Sequence, residues 1–255
     1  MPLAGGLYYF TSQINGDKES PAVVLIHGAG GTHMHWPYNL RRLNNHRVFA
    51  PDLPGHGKSP GLGKQSVEKY AEAIADWMNS IGLDQALMVG HSMGGAIAQT
   101  LAVQHPGMVT GLVLIGTGAR LEVNQELLYK FSIPSSTPAA IDLVIKWSWN
   151  NAKDEKLLRK VKEQMMAIRS AVIYGDFLAC NNFDLTGQVE QIKAPTLIIV
   201  GEHDKMTPLD LNKQLERKIP RAKMSVISEG GHMVMLEKPE AVADEVFGFL
   251  KEIPA

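Results

Sequence analysis

Cysteine is almost absent from this sequence. The single thiol, Cys180, has no partner for an intramolecular disulfide, and a chain of 255 residues buries enough surface to hold a core without one. An excess of charge of either sign is missing too: 25 Lys and Arg stand against 26 Asp and Glu. That balance excludes the electrostatic footprint of a nucleic-acid binder or of a protein held on an anionic membrane, so neither partner is expected. No uninterrupted apolar run approaches the ~18 residues that a membrane helix needs. The stretch "MPLAGGLYYF" has no basic segment leading into an apolar one, so a cytoplasmic protein without a secretory leader is expected. No internal repeat or low-complexity segment interrupts the chain.

What is present is alternation. "AVVLIH" (22–27), "ALMVG" (86–90) and "TLIIVG" (196–201) are short, continuously apolar runs, the pattern of strands covered on both faces. "RVFAPD" (47–52), "VTGLVLIG" (109–116) and "KMSVIS" (223–228) read as further strands, and "LYYFTSQ" (7–13) as an edge strand. Between them Val67, Tyr70, Ala71, Ile74, Met78 and Ile81 repeat at helical spacing, with Gly82 as the residue after the helix end. Thr207 before Pro208, with Asp210 following, reads as a capped helix start with proline in its first turn. A terminal helix begins at Pro239 and carries Val242, Val246, Phe249 and Leu250 on one face. Strand and helix in turn predict an α/β fold, a mostly parallel sheet with helices on both sides.

One region breaks the rhythm. From about Arg120 to Thr186 no strand pattern occurs, while Leu157, Leu158, Val161, Met165 and Ile168 share a helical face. Trp147, Trp149, Met166, Tyr174 and Phe177 add large apolar groups. The expected organisation is a core of residues 1–119 and 187–255 with a helical lid of residues 120–186 over the strand ends.

In "VGHSMGGA" (89–96) Ser92 stands between Gly90 and Gly94. A strand turning sharply into a helix brings the second neighbours of the turn residue into close approach, where a Cβ would collide. It also pushes the serine hydroxyl above the sheet, next to the Met93 N–H at the helix start. A serine hydroxyl needs a base. Of nine histidines, His27, His46, His56 and His105 have structural explanations at strand ends, turns and helix ends. His33 and His35 form an H-x-H pair without an acidic or cysteine cluster beside it, so no metal is expected. His232, in "EGGHMVMLEKPE", follows the last strand, on the side where open α/β sheets build their sites. The carboxylate that orients it is sought beyond "TLIIVG", where Glu202 and Asp204 are available and Asp204 lies deeper in the loop.

In these segments the chain resembles the α/β-hydrolase superfamily from about Val23 onward: "LIHGAGG" its oxyanion loop, "PDLPGHGKS" the next turn, "GHSMGG" its nucleophile elbow, "GEHDKMTP" its acid turn and "GGHMVMLEKP" its histidine loop. The resemblance implies an α/β-hydrolase fold with Ser92, Asp204 and His232 as catalytic triad. It also implies an oxyanion hole of the Ala29 and Met93 N–H groups, with Gly30 as a competitor for the first. A carboxylesterase-like enzyme without cofactor, acting on a small-molecule ester of small to medium acyl chain with an apolar acyl or alcohol part, is the expected function. Thioesterases, carbon–carbon hydrolases and cofactor-free haloperoxidases share the same segments, and ligand receptors of related fold form a separate class. The serine at position 92 argues against the branch that displaces halide through an aspartate.

Overall fold

The structure, a computed structural model, describes residues 2–12, 20–150 and 154–253. Among them eight strands form one sheet: β1 (Leu3–Ala4), β2 (Leu7–Ser12), β3 (Val23–Ile26), β4 (Val48–Pro51), β5 (Ala86–His91), β6 (Val109–Ile115), β7 (Thr196–Gly201) and β8 (Ala222–Ile227). Their order is β1-β2-β4-β3-β5-β6-β7-β8. The sheet is parallel from β4 to β8, and β2 joins it antiparallel to β4, with Tyr9 opposite Pro51. This is the mostly parallel sheet that the alternation predicts. The expectation of an edge strand at 7–13 needs correction: β1, too short to leave a pattern, pairs with the outer side of β2, and Gln13 lies outside the described residues.

The continuous apolar runs follow from cover on both faces. Successive side chains of a strand point to opposite sides. Val24, Ile26, Met88, Leu112, Leu114 and Ile198 therefore enter one core with α2 (Val67–Ser80) and α3 (Met93–Gln104). Val23, Leu25, Leu87, Val89, Val113 and Ile199 enter a second core on the opposite face. It is closed by α1 (Tyr38–Arg41) and by the C-terminal helix that begins at Pro239.

Between β6 and β7 the chain builds α4 (Gln125–Ser132), α5 (Thr137–Ser148), α6 (Glu155–Met166) and α7 (Ser170–Asn182). They share a third apolar cluster that includes Phe131, Ile141, Met165, Ile173 and Phe177. The two ends of this excursion meet in an antiparallel bridge between Arg120 and Asp184. After β7 come α8 (Leu209–Lys218), α9 (Val234–Glu237) and α10 (Pro239–Leu250). Pro239 occupies the first turn of α10 as read. At α8 the reading fails: Pro208 is the N-cap, and the Thr207 hydroxyl is given to Asp204 instead of to the helix. Among the described residues no helix is long and apolar enough to cross a membrane.

The order of strands reverses its direction of growth between β3 and β5. A crevice opens there at the carboxyl ends of the strands, as in other open α/β sheets.

Candidate active site

Ser92 follows β5 with φ +53° and ψ −116°, a left-handed conformation that a non-glycine residue holds only under strain. The surroundings impose it. The Ser92 N–H donates to the Ile115 carbonyl (2.9 Å), and the Ser92 carbonyl accepts from Gly95 N–H and from Thr117 Oγ1 (2.9 Å each). A Cβ on Gly90 would lie 2.2 Å from the Gly94 carbonyl, as the close approach of second neighbours requires. A Cβ on Gly94 would lie 2.0 Å from the Ile26 carbonyl of neighbouring β3. The Ser92 side chain caps nothing in α3 and stays partly exposed, while its neighbours His91 and Met93 are buried.

Beyond β7 and β8 two loops meet. His232 Nδ1 lies 2.9 Å from Asp204 Oδ2. Asp204 is held on every side: its Oδ1 accepts from the Met206 and Thr207 N–H groups (2.9 and 2.8 Å), and its Oδ2 also accepts from Thr207 Oγ1 (2.7 Å). Burial alone raises a carboxyl pKa. Here the charge and hydrogen bond of His232 and the donors of Thr207 outweigh burial and hold Asp204 below the usual carboxylate value. His91 steadies the other partner, donating from Nε2 to the His232 carbonyl at 3.0 Å with the two rings 4.8 Å apart. Glu202, the alternative acid, is exposed and accepts from Ser228 Oγ and the Glu229 N–H, away from the imidazole.

Ser92 and His232 line one cavity of about 80 Å³, together with Gly28 and Ala29. The contact between acid and histidine is made in this structure, whereas a direct hydrogen bond from Ser92 Oγ to His232 is not. Such bonds are commonly long without substrate and tighten when it binds. The insertion supplies the apolar wall through Val144, Trp149, Val161, Met165 and Phe177. Of the other large apolar groups of this region, Trp147 packs within the helical cluster and Met166 is exposed. Lys156, Arg159 and Lys160 face solvent, Lys162 pairs with Asp142, and Lys153 lies outside the described residues.

In the loop after β3 the two candidate donors differ in their partners. A turn across residues 28–31 is closed by the Gly31 N–H on the Gly28 carbonyl (3.0 Å), with Gly30 at φ +63°. The Gly30 N–H donates to Asp176 Oδ2 at 2.8 Å, so the competitor is already engaged. The Ala29 and Met93 N–H groups have no acceptor among the described residues. Both residues belong to segments that bound the Ser92 cavity.

The H-x-H pair does not converge as a ligand set. His33 bonds Asp52 through Nδ1 (2.8 Å), while His35 stands in the cavity wall with its buried Nε2 unpartnered. The one trio spaced for a metal ion among the described residues is Glu202, His203 and Glu229, exposed on the outside of the acid loop. Sequence reading missed Asp176, His91, His35 and the second role of Thr207. Only Asp176 left a signal, as the lone acid in an otherwise apolar helix, "SAVIYGDFLACNN".

Comparison with known proteins bears on the fold. Residues 21–239 match the family model of the alpha/beta hydrolase fold. The chain is 32% identical to a solved thermophilic esterase, with a TM-score of 0.82 over 97% of this chain and 98% of that one. It is 25% identical to the 2-hydroxy-6-oxo-6-phenylhexa-2,4-dienoate hydrolase of Burkholderia cepacia, covering 96% of this chain and 93% of the relative. It is also 29% identical to the dihydrolipoyllysine-residue acetyltransferase component of the acetoin cleaving system of Pseudomonas putida, over 97% of this chain and 68% of that protein. The chain belongs to the α/β-hydrolase family. It is a hydrolase of that fold.

Proposed function

We propose that the protein cleaves carboxylic esters of small to medium acyl chain through an acyl-enzyme on Ser92, with His232 as base and Asp204 as its orienting acid. The observation that carries this reading is the shared cavity: a strained, partly exposed serine, an imidazole bonded to a buried carboxylate and the residue of the unclaimed Ala29 N–H border one small apolar space, and the unclaimed Met93 N–H directly follows the serine. His232 takes the Ser92 proton as Oγ bonds to the acyl carbon, and the carbonyl electron pair moves onto oxygen between the Ala29 and Met93 N–H groups. Collapse expels the alcohol, which leaves with the proton from His232, and water then releases the acid by the same route. Asp204, ionised throughout, keeps the proton of the neutral ring on Nδ1 and Nε2 open as base. The residues 120–186 act in this reading as a lid that bounds the acyl end.

Ser92→Ala is expected to lower ester turnover at least a thousandfold, roughly the loss seen when a nucleophile is removed from such a triad, and to abolish labelling by a fluorophosphonate. Labelling that persists on another residue overturns the assignment. A panel of p-nitrophenyl esters from acetate to decanoate is expected to peak at the short or middle lengths. A carbon–carbon hydrolase is the second reading, favoured by the similarity to the Burkholderia cepacia enzyme. Turnover of a 2-hydroxy-6-oxo-dienoate well above that of every ester would put it first.

A further inference from the structure

The mechanism above leaves two fully buried carboxylates unused, Asp52 and Asp176. Asp176, on α7, receives donors from three separate segments of the core. Oδ2 accepts from the Gly30 N–H (2.8 Å) and from His56 Nε2 (2.7 Å), and Oδ1 from the Tyr70 hydroxyl (2.5 Å). The other ring nitrogen of His56, Nδ1, lies 3.1 Å from the Pro54 carbonyl. Both nitrogens therefore face atoms that can only accept, so the ring carries two protons and is an imidazolium. Its neighbour His27, 5.0 Å away between ring centres, is the opposite case: Nδ1 donates to the Gly28 carbonyl while Nε2 accepts from the Leu53 N–H, which makes it neutral.

A buried ion pair is poor cement, because desolvating both ions offsets much of their attraction and an apolar pair of similar volume often serves stability better. What the carboxylate does here that an apolar group could not is grip the oxyanion loop. In the turn of residues 28–31 the two central N–H groups are those of Ala29 and Gly30, and neither takes part in the closing bond. The peptide plane that joins them carries the Gly30 N–H and the Ala29 carbonyl, and with Gly30 at φ +63° it rotates unless something holds it, turning the Ala29 backbone and the N–H on its other side with it. Asp176 holds it.

We propose that Asp176 is a positioning residue of the oxyanion site: its carboxylate, balanced by the His56 imidazolium, clamps the Gly30 N–H and so sets the Ala29 N–H toward the reacting carbonyl. This rests on Ser92 being the nucleophile, as argued above. It also makes α7 part of the catalytic framework and restricts any opening of the insertion to the helices before it.

The test compares wild type with Asp176→Ala, Asp176→Asn and Tyr70→Phe, using p-nitrophenyl butyrate and two inhibitors. One is an alkyl trifluoromethyl ketone, whose adduct with Ser92 bears an oxyanion, and the other is the matching methyl ketone, which does not form one readily. Asp176→Ala is expected to lower kcat about tenfold or more, up to the loss of a whole donor, with KM within about twofold. Affinity for the trifluoromethyl ketone falls in step with kcat/KM while that for the methyl ketone holds. Asp176→Asn, which keeps an oxygen for Gly30, loses less than Ala. Tyr70→Phe spares the packing and slackens the carboxylate, so it shows the same selective loss at smaller amplitude even if the Asp176 variants fail to fold. Unchanged ketone discrimination in the folded variants, or equal weakening of both ketones, overturns the clamp alone. A wild-type enzyme inert to ester and to trifluoromethyl ketone overturns the nucleophile reading and takes the clamp with it.

Discussion

At Ser92 the proposed function and stability pull in opposite directions. A non-glycine residue at φ +53° costs on the order of 1–3 kcal/mol, sustained here because the elbow's hydrogen bonds over-determine the backbone. Ser92→Ala keeps that strain and removes only the hydroxyl. Ser92→Gly removes the strain as well, since glycine adopts positive φ freely. The glycine variant is expected to be as inactive as the alanine variant yet more stable by about 1 kcal/mol, a rise of roughly 2–4 °C in Tm for a domain of this size. Thermal unfolding of the two variants side by side checks it, and equal melting temperatures would refute stored strain at the elbow. This residue was legible because sterics wrote it into the sequence: Gly90 and Gly94 stand where a Cβ would strike backbone. Asp204 and His232 were legible by their place after strands. The Gly30 alternative could not be settled from residues 28–31, because the group that engages its N–H lies 146 positions away.

At the scale of elements, sequence pattern works where an element is long enough to carry an unbroken run or a period and fails where it is short or where a tertiary contact intervenes. The strands β3, β5 and β7 are buried at every position and read as unbroken apolar runs. Two-residue β1 and four-residue α1 and α9 are too short to show a period. Thr207–Pro208 has the composition of a helix start, but the threonine hydroxyl finds a buried carboxylate, and tertiary contact overrides local capping preference. Within the insertion the helices differ sharply. α6 buries only Val161 and Met165, whereas α7 buries seven residues from Val172 to Cys180 and anchors Asp176 in the core. Amides held by buried packing open only with large units of the fold, and those on half-exposed helices open locally. Native-state hydrogen exchange should therefore protect the middle of α7 nearly as well as β5, with α6 exchanging at least about tenfold faster. Equal exchange of the two helices would mean that the insertion opens as one body, contrary to an α7 fixed to the oxyanion loop.

For the whole molecule, the balance of buried histidines sets the response to acid. His27, His35 and His91 are held neutral: burial, and then the charge of neighbouring histidines, lowers His35 to about 4, His91 to about 3, and His27 well below its ordinary value. Below the ordinary imidazole range the unfolded chain binds protons at these three positions and the native state does not. Stability then falls with pH by about 1.4 kcal/mol per unit for each lagging proton. Asp204, whose value is depressed, adds stability above the ordinary carboxylate range that is lost only as pH drops through its lowered folded value. His56 runs the other way. Burial opposes its charge, but Asp176 raises it above its ordinary value, so its contribution is complete at mildly acidic pH and fades as pH rises through that raised value. The slopes oppose each other, and maximal stability belongs near neutrality. Three lagging protons amount to about 4 kcal/mol per pH unit, enough to exhaust a typical margin of about 5–15 kcal/mol within one to four units. Unfolding free energies measured by urea titration between pH 7 and 4 should fall steeply, with the acid midpoint about two units below neutral or lower. His35→Gln removes one of the three without taking a hydrogen bond from the Asp176 network or the His232–Asp204 pair, and it should reduce the slope by about one proton. An unchanged slope in that variant would show that His35 is protonated inside the folded protein, and with it that the cavity wall beside Ser92 is wetter than its packing implies.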